Sequence, residues 1–413
     1  MRNAQGIMSS DANLQGAHYD PFDYEHHDNP YGDYARLRAD APVYYNRKFD
    51  FYALSRYEDC MRAVRDFETF SSAQGSNLED TRVEVSVILS ADPPDHTRLR
   101  HTIVNLFTPT AVAPLEASVR DLAIALLKPH AASGRMDVIS DFAARLPMAI
   151  ICRLLGFPAD DEDMLRGWTD AAVHREEGRF EVPISAKEAM GKLIEYFKAD
   201  LARHEREPPR DDVIGALLAA EEAERLSRDE LLGFMLILSI AGNETTTKLL
   251  GNMTYQLHRH PDQLAALLAE PALLSSAIEE TMRYDGPTQM MARTTTRDVA
   301  LHGTVIPAGK KVALIFTSAN RDERKYRNAE TYDIRRNPRD HLGFGGGLHS
   351  CVGAALARLE ARVAMEEMLE MMPDFIVDES SLARMHSPNV RGFTTVPVTF
   401  TPNPSFAGAK KRI

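Results

Sequence analysis

The sequence predicts a mainly α fold with a small β portion. Helical apolar periodicity recurs along most of the 413 residues. One such pattern runs from Ser227 to His260, where Pro261 follows. At 1.5 Å per residue it spans roughly 48 Å, and its middle is apolar on every side, so it must cross the interior. Strand-like alternation is confined to 41–55, 296–316 and 383–401.

Taken in order, residues 1–20 read as a flexible tail. DYARLRAD (33–40) is a short helix, and APVYYNRKFDFYALS (41–55) is a hairpin of aromatic and β-branched runs around a polar turn. YEDCMRAVRD (57–66) is helical again. In 92–109, Asp92 and the prolines after it mark a helix start. Helices continue through 114–131, 137–156, 159–175 and 184–205. Ser227 and Glu230 form a capping box for the long helix. A strong amphipathic helix follows Cys351. Residues 402–413 read as a basic tail, which leaves 21–401 as one domain.

A net charge of −12 argues against a general nucleic-acid binder, which needs a basic face. LLGFMLILSIAG (231–242) is shorter than the about 20 apolar residues of a membrane span. A polar N-terminus without a signal-peptide core points to the cytoplasm. Three cysteines without paired spacing are not a disulfide framework and fit a reducing compartment.

FGGGLHSCVG (344–353) concentrates the chemistry. Its glycines let the backbone approach a flat or bulky group. Cys351 stands at a helix N-terminus, where free N–H groups favour a thiolate. For a lone cysteine the commoner reading is a small buried side chain at a turn. Zinc needs four clustered ligands, and only His349 is near. Heme needs a single thiolate from the protein.

The segment resembles the heme-binding signature of the cytochrome P-450 family, Phe-Gly-x-Gly-x-His-x-Cys-x-Gly. Phe344, Gly345, Gly347, His349, Cys351 and Gly353 fill every fixed position. The resemblance implies that Cys351 is the axial ligand of heme b (iron protoporphyrin IX). It implies a triangular single-domain fold with the long helix over the heme, and 21–401 as the catalytic domain. AGNETT (241–246) resembles the family's oxygen-activation motif. That implies a helix distortion at Ala241 and Gly242, Thr245 as the hydroxyl beside bound oxygen, and Glu244 as its link to a proton supply. Glu280 and Arg283 share a helix face at i, i+3. With Arg336, rather than its neighbour Arg335, they match the family's structural Glu–Arg–Arg network. His96, Arg100, Arg293 and His341 match its contacts to the heme propionates.

The implied function is a heme-thiolate monooxygenase that inserts one oxygen atom of dioxygen into a hydrophobic small molecule. Met235, Leu238, Ile240, Met290 and Met291 are candidate substrate contacts, each of which equally suits plain core filling. Expected partners are a ferredoxin and its reductase, docked at a face made basic by Arg98, Arg358 and Arg362; the chain is expected to be a monomer. Two other readings stand: a peroxide-driven peroxygenase, and a heme-thiolate sensor without turnover.

Overall fold

The chain folds around one long helix. The computed structural model describes residues 17–81, 84–207, 210–218 and 226–408. Helix α1 (Tyr31–Asp40) leads into the hairpin β1 (Val43–Asn46) and β2 (Phe51–Leu54), then α2 (Tyr57–Arg65) and β3 (Phe70–Ser71). Next come α3 (Asp95–Val104), α4 (Glu116–Leu127), α5 (Arg145–Leu155), α6 (Glu162–Val173) and α7 (Ile184–His204). The central helix α8 spans Arg228–Arg259, followed by α9 (Leu274–Tyr284), β4 (Met291–Thr295), β5 (Lys311–Leu314) and α10 (Ala354–Met371).

Helix α8 starts where its cap dictates. Ser227 Oγ accepts from the Glu230 N–H at 3.3 Å, and the Glu230 carboxylate accepts from the Ser227 N–H at 2.8 Å. From there α8 packs against α5, α6, α7, α9 and α10. Gly233 permits the closest approach: a Cβ there would lie 1.7 Å from the Ser86 carbonyl oxygen, so the loop before α3 presses directly on the helix. The five-stranded sheet has the order β1-β2-β5-β4-β3, with β2 and β5 parallel and the other neighbours antiparallel. No described helix is long and apolar enough to cross a membrane.

The structure moves several expected boundaries. Tyr19 is fully buried, edge-on to Phe51, so the packed fold begins within the expected N-terminal tail; residues 1–16 of that tail lie outside the described residues. At the other end Phe406 is buried and Asn403 N–H bonds the Ala131 carbonyl, so 402–408 belongs to the fold. The expected helix over 137–156 begins late. Asp137 ends a short strand, and its carboxylate takes the N–H groups of Ile139 and Ser140, which starts a wide turn ahead of α5. Strand β4 was not anticipated; Met291 to Thr294 pair with β5, and Thr295 pairs with Phe70 of β3.

The Glu–Arg–Arg network is present and buried. Arg283 makes a two-pronged pair with Glu280 at 2.8 Å, and Arg336 joins the same carboxylate at 3.2 Å. Arg283 also donates to the carbonyls of Asn320, Ala329 and Thr331. Arg335 instead reaches Glu270 at the surface. Glu280→Gln leaves a buried guanidinium without its anion and should cost about 3–5 kcal/mol in urea unfolding. Glu270→Gln, at the exposed pair, should leave the unfolding midpoint nearly unchanged.

Candidate active site

The cysteine loop is shaped by two left-handed glycines. Gly345 has φ 70° and Gly347 has φ 61°. A Cβ on Gly347 would sit 2.0 Å from the Val64 carbonyl oxygen, so the loop lies flush on α2. The Cys351 N–H closes the loop by donating to the Phe344 carbonyl at 2.8 Å. Phe344 lies beneath the Arg358 guanidinium, 4.3 Å from ring centroid to cation. Three residues beyond Cys351, α10 begins.

Cys351 is an exposed cysteine that lines the cavity. Burial pushes its thiol up, against the pull of the Gly353 N–H, Arg100 and Arg358. The free side chain is therefore a thiol, and a bound cation is needed to make it a thiolate.

The cavity holds about 1470 Å³ of empty space, solvent at its mouth included. Helix α8 supplies a second wall through Ala241, Gly242 and Thr245. Ala241 is exposed in mid-helix because it faces this space. The small residue at 242 fits the helix to α5: a Cβ there would meet Ile151 Cδ1 at 2.8 Å.

A third wall collects basic groups. His96 and Arg100 project from α3, Arg293 from β4 and His349 from the cysteine loop. The two imidazoles stand 4.3 Å apart. Both nitrogens of His96 and Nε2 of His349 are buried without a hydrogen-bond partner. Arg293 donates only to the neighbouring Ala292 carbonyl among its described bonds. Burial brings Arg293 down to about 10. Burial, then Arg293, His96 and Arg100, push His349 down to about 3. Groups that repel each other in this way call for anions.

One thiol and a buried set of unneutralised donors fit a metal porphyrin that carries two carboxylates. The residues present therefore fit heme b. His341 takes no part: Glu279 holds its Nε2 at 3.1 Å, and its Nδ1 accepts the Gly343 N–H. It does not line the cavity, and the fourth basic position belongs to His349.

The oxygen-motif residues face two ways. Thr245 lines the cavity, and its hydroxyl donates to the Ala241 carbonyl at 2.7 Å. The expected distortion is not a break; α8 is helical throughout. Glu244 points away from the cavity, 3.4 Å from Lys248 Nζ and against Asp170 of α6. Burial raises it to about 8, with Asp170 adding to the rise and Lys248 opposing it.

Leu238 and Met291 line the cavity as expected, whereas Met235, Ile240 and Met290 do not. Phe234, Ile237, Ser76 and Thr288 join them. Arg98, Arg358 and Arg362 are each paired, with Glu230, Glu279 and Glu116 respectively, which neutralises much of the expected basic face. Glu279 is drawn down to about 2: burial opposes this, and its bonds to Arg358 and His341 outweigh burial.

With this geometry, the chain matches proteins already named. A family model described as "Cytochrome P450" matches residues 177–373. "Putative cytochrome P450 123" of Mycobacterium bovis is 40% identical over 92% of this chain and 96% of its own. The chain belongs to the cytochrome P450 family. "Vitamin D(3) 25-hydroxylase" of Pseudonocardia autotrophica is 37% identical over 91% of this P450 and 94% of that relative. The structure of CYP109E1 from Bacillus megaterium in complex with testosterone superposes with a TM-score of 0.85 at 29% identity, covering 91% of this chain and 99% of that one. Members of the family are heme b oxidoreductases.

Glu360 escaped the sequence reading. It lies on the apolar stripe of α10, four residues after Leu356 and three before Val363, and lines the cavity with Oε2 unpartnered. Burial alone raises it from 4.5 to about 8. Between these values the folded protein binds a proton that the unfolded chain has lost, so this group's contribution to stability falls as pH rises. Glu360→Gln should therefore gain on the wild type between pH 4.5 and 8, by on the order of a few kcal/mol in urea unfolding. Arg100→Ala should release heme to an excess of apoglobin roughly 10–100-fold faster, as expected for a lost charge-assisted hydrogen bond.

Proposed function

We propose that this P450 inserts one oxygen atom of dioxygen into a neutral, largely apolar molecule, by hydroxylation or epoxidation. The observation that carries the reading is the division of the cavity wall. Its charged side chains are the propionate set and Glu360. The part built by Ile88, Leu89, Phe234, Ile237, Leu238 and Met291 offers only the hydroxyls of Ser76 and Thr288. Such a wall favours apolar ligands and leaves a carboxylate or ammonium unpaired. The name of the Pseudonocardia relative and the testosterone bound by CYP109E1 direct the first tests to steroid and secosteroid skeletons.

Heme b, when bound, supplies the oxygen-activating redox chemistry. In this reading Cys351 holds the iron, and Phe344 and Gly345 shield its sulfur. His96, Arg100, Arg293 and His349 bind the propionates. Ala241 and Gly242 leave room above the ring. Thr245 releases the Ala241 carbonyl and presents its hydroxyl to the cavity, while Glu244 stores the proton behind it. Electrons arrive from a ferredoxin and its reductase. Arg62 and Arg65 are exposed on α2 beside the cysteine loop, and they take the docking role expected of Arg98, Arg358 and Arg362. Turnover should then weaken as salt rises.

A saturable high-spin Soret shift with a neutral polycyclic ligand, absent with its carboxylate analogue, supports the substrate class; preference for the carboxylate defeats it. Thr245→Ala should lose about 10–100-fold of oxygen-driven product and keep peroxide-driven product. Equal loss of both, or of neither, would defeat the role given to Thr245, and a wild type that forms product with peroxide but not with oxygen and reductant would favour the peroxygenase reading.

A further inference from the structure

Glu244 has no direct opening to solvent; its side chain is 2% exposed. Yet a proton store must be refilled after each release. Among the described residues, Lys248 of its own helix stands 3.4 Å from it, and Asp170 of α6, which packs against α8, raises its pKa from close by. Lys248 is 5% exposed, and its stem is covered by the backbone at Gly392, where a Cβ would lie 2.5 Å from Lys248 Cβ. Asp170 is different: its side chain is 46% exposed, and it stands 4.0 Å from Arg166 at the surface. One carboxyl thus faces water on one side and the buried acid on the other.

The contact has its own chemical requirement. Two carboxyl groups attract each other only when one of them holds a proton, since two carboxylates offer acceptors alone. Neither Glu244 oxygen has a conventional donor partner. The neighbouring residues lock the two helices at this level, with Asn243 Nδ2 donating to Thr169 Oγ1 at 3.4 Å. Just beyond α6, the Arg175 guanidinium holds Glu79 at 2.8 Å in a buried pair, which ties this end of α6 to the loop that roofs the cavity.

We propose that Asp170 is the proton inlet of the site: it takes a proton from solvent and passes it to Glu244. The proposal rests on the acid–alcohol role given above to Glu244 and Thr245. In each cycle Glu244 breaks its O–H bond as it releases a proton toward Thr245. Lys248 steadies the carboxylate that remains. Asp170 then breaks its own O–H bond to reprotonate Glu244 and regains a proton from water. One proton enters and one leaves, and no further reactant is needed. Asp170 acts through Glu244 and is a positioning residue.

The test has two readouts on the heme-loaded protein. In the resting enzyme, infrared titration identifies the protonated Glu244 band by its absence in Glu244→Gln. In Asp170→Asn that band should titrate at least one pH unit lower, because the shared proton and the like charge are gone. In turnover with a coupled substrate, Asp170→Asn should lower product per oxygen consumed at least about 5-fold and raise peroxide release to match. Its solvent isotope effect should grow, and Asp170→Glu should restore both. If Glu244→Gln uncouples and Asp170→Asn leaves coupling and the infrared titration unchanged, the inlet is overturned and the acid–alcohol reading stands. If Glu244→Gln itself leaves coupling unchanged, both fall together.

Discussion

A thiolate is costly in a dry protein interior unless a cation meets it, and the site is organised around that constraint. The loop that carries Cys351 presents it to the cavity, where burial by the surrounding protein raises its thiol. The Gly353 N–H, Arg100 and Arg358 lower the cost of a charge on sulfur without cancelling it. A metal must supply the rest. A wall of basic side chains beside the same cavity forms no ion pair among the described residues, and burial and mutual repulsion push its groups down. Together the two deficits describe one guest, a metal complex with a free axial position and two carboxylates.

The contrast with the rest of the interior gives that reading its force. Two buried arginines away from the cavity are matched by anions. Arg283 is held by Glu280 and three carbonyls, and Arg391 meets Asp285 at 2.9 Å. Burial would raise Asp285, yet Arg391 and its neighbours hold it well below the usual carboxylate range. Beside these pairs, the unpartnered nitrogens of His96 and His349 and the unpaired Arg293 stand together on one cavity wall, where a ligand carrying anions would complete them.

Helix α8 must serve the cavity and the solvent at once. Successive residues on a helix point about 100° apart. Thr245 therefore faces the cavity while Glu244 faces α6 and Lys248. Alcohol and acid are neighbours in the chain but not on one surface. Glu244 therefore adjoins the packing between α8 and α6 rather than the cavity.

Local order determined much of this protein by itself. The 3.6-residue periodicity, the Ser227–Glu230 cap and the glycines around Cys351 act over a few residues, so α8, the cysteine loop and the i, i+3 pair of Glu280 and Arg283 were legible in the chain. So was the family, because its motifs are short and contiguous. Tertiary structure decided what depends on distant segments. Spacing alone does not tell whether His341 or His349 turns to the cavity; the Glu279 carboxylate, on another helix, draws His341 away. Glu360 lines the cavity only because α10 packs there. Strand β4 exists because β5 offers it a partner. Phe406 and Tyr19, taken as parts of tails, are buried because apolar surface far away in sequence covers them. Residues that act through their neighbours in the chain can be read in order; residues whose partners come from elsewhere are assigned only when the chain closes on itself.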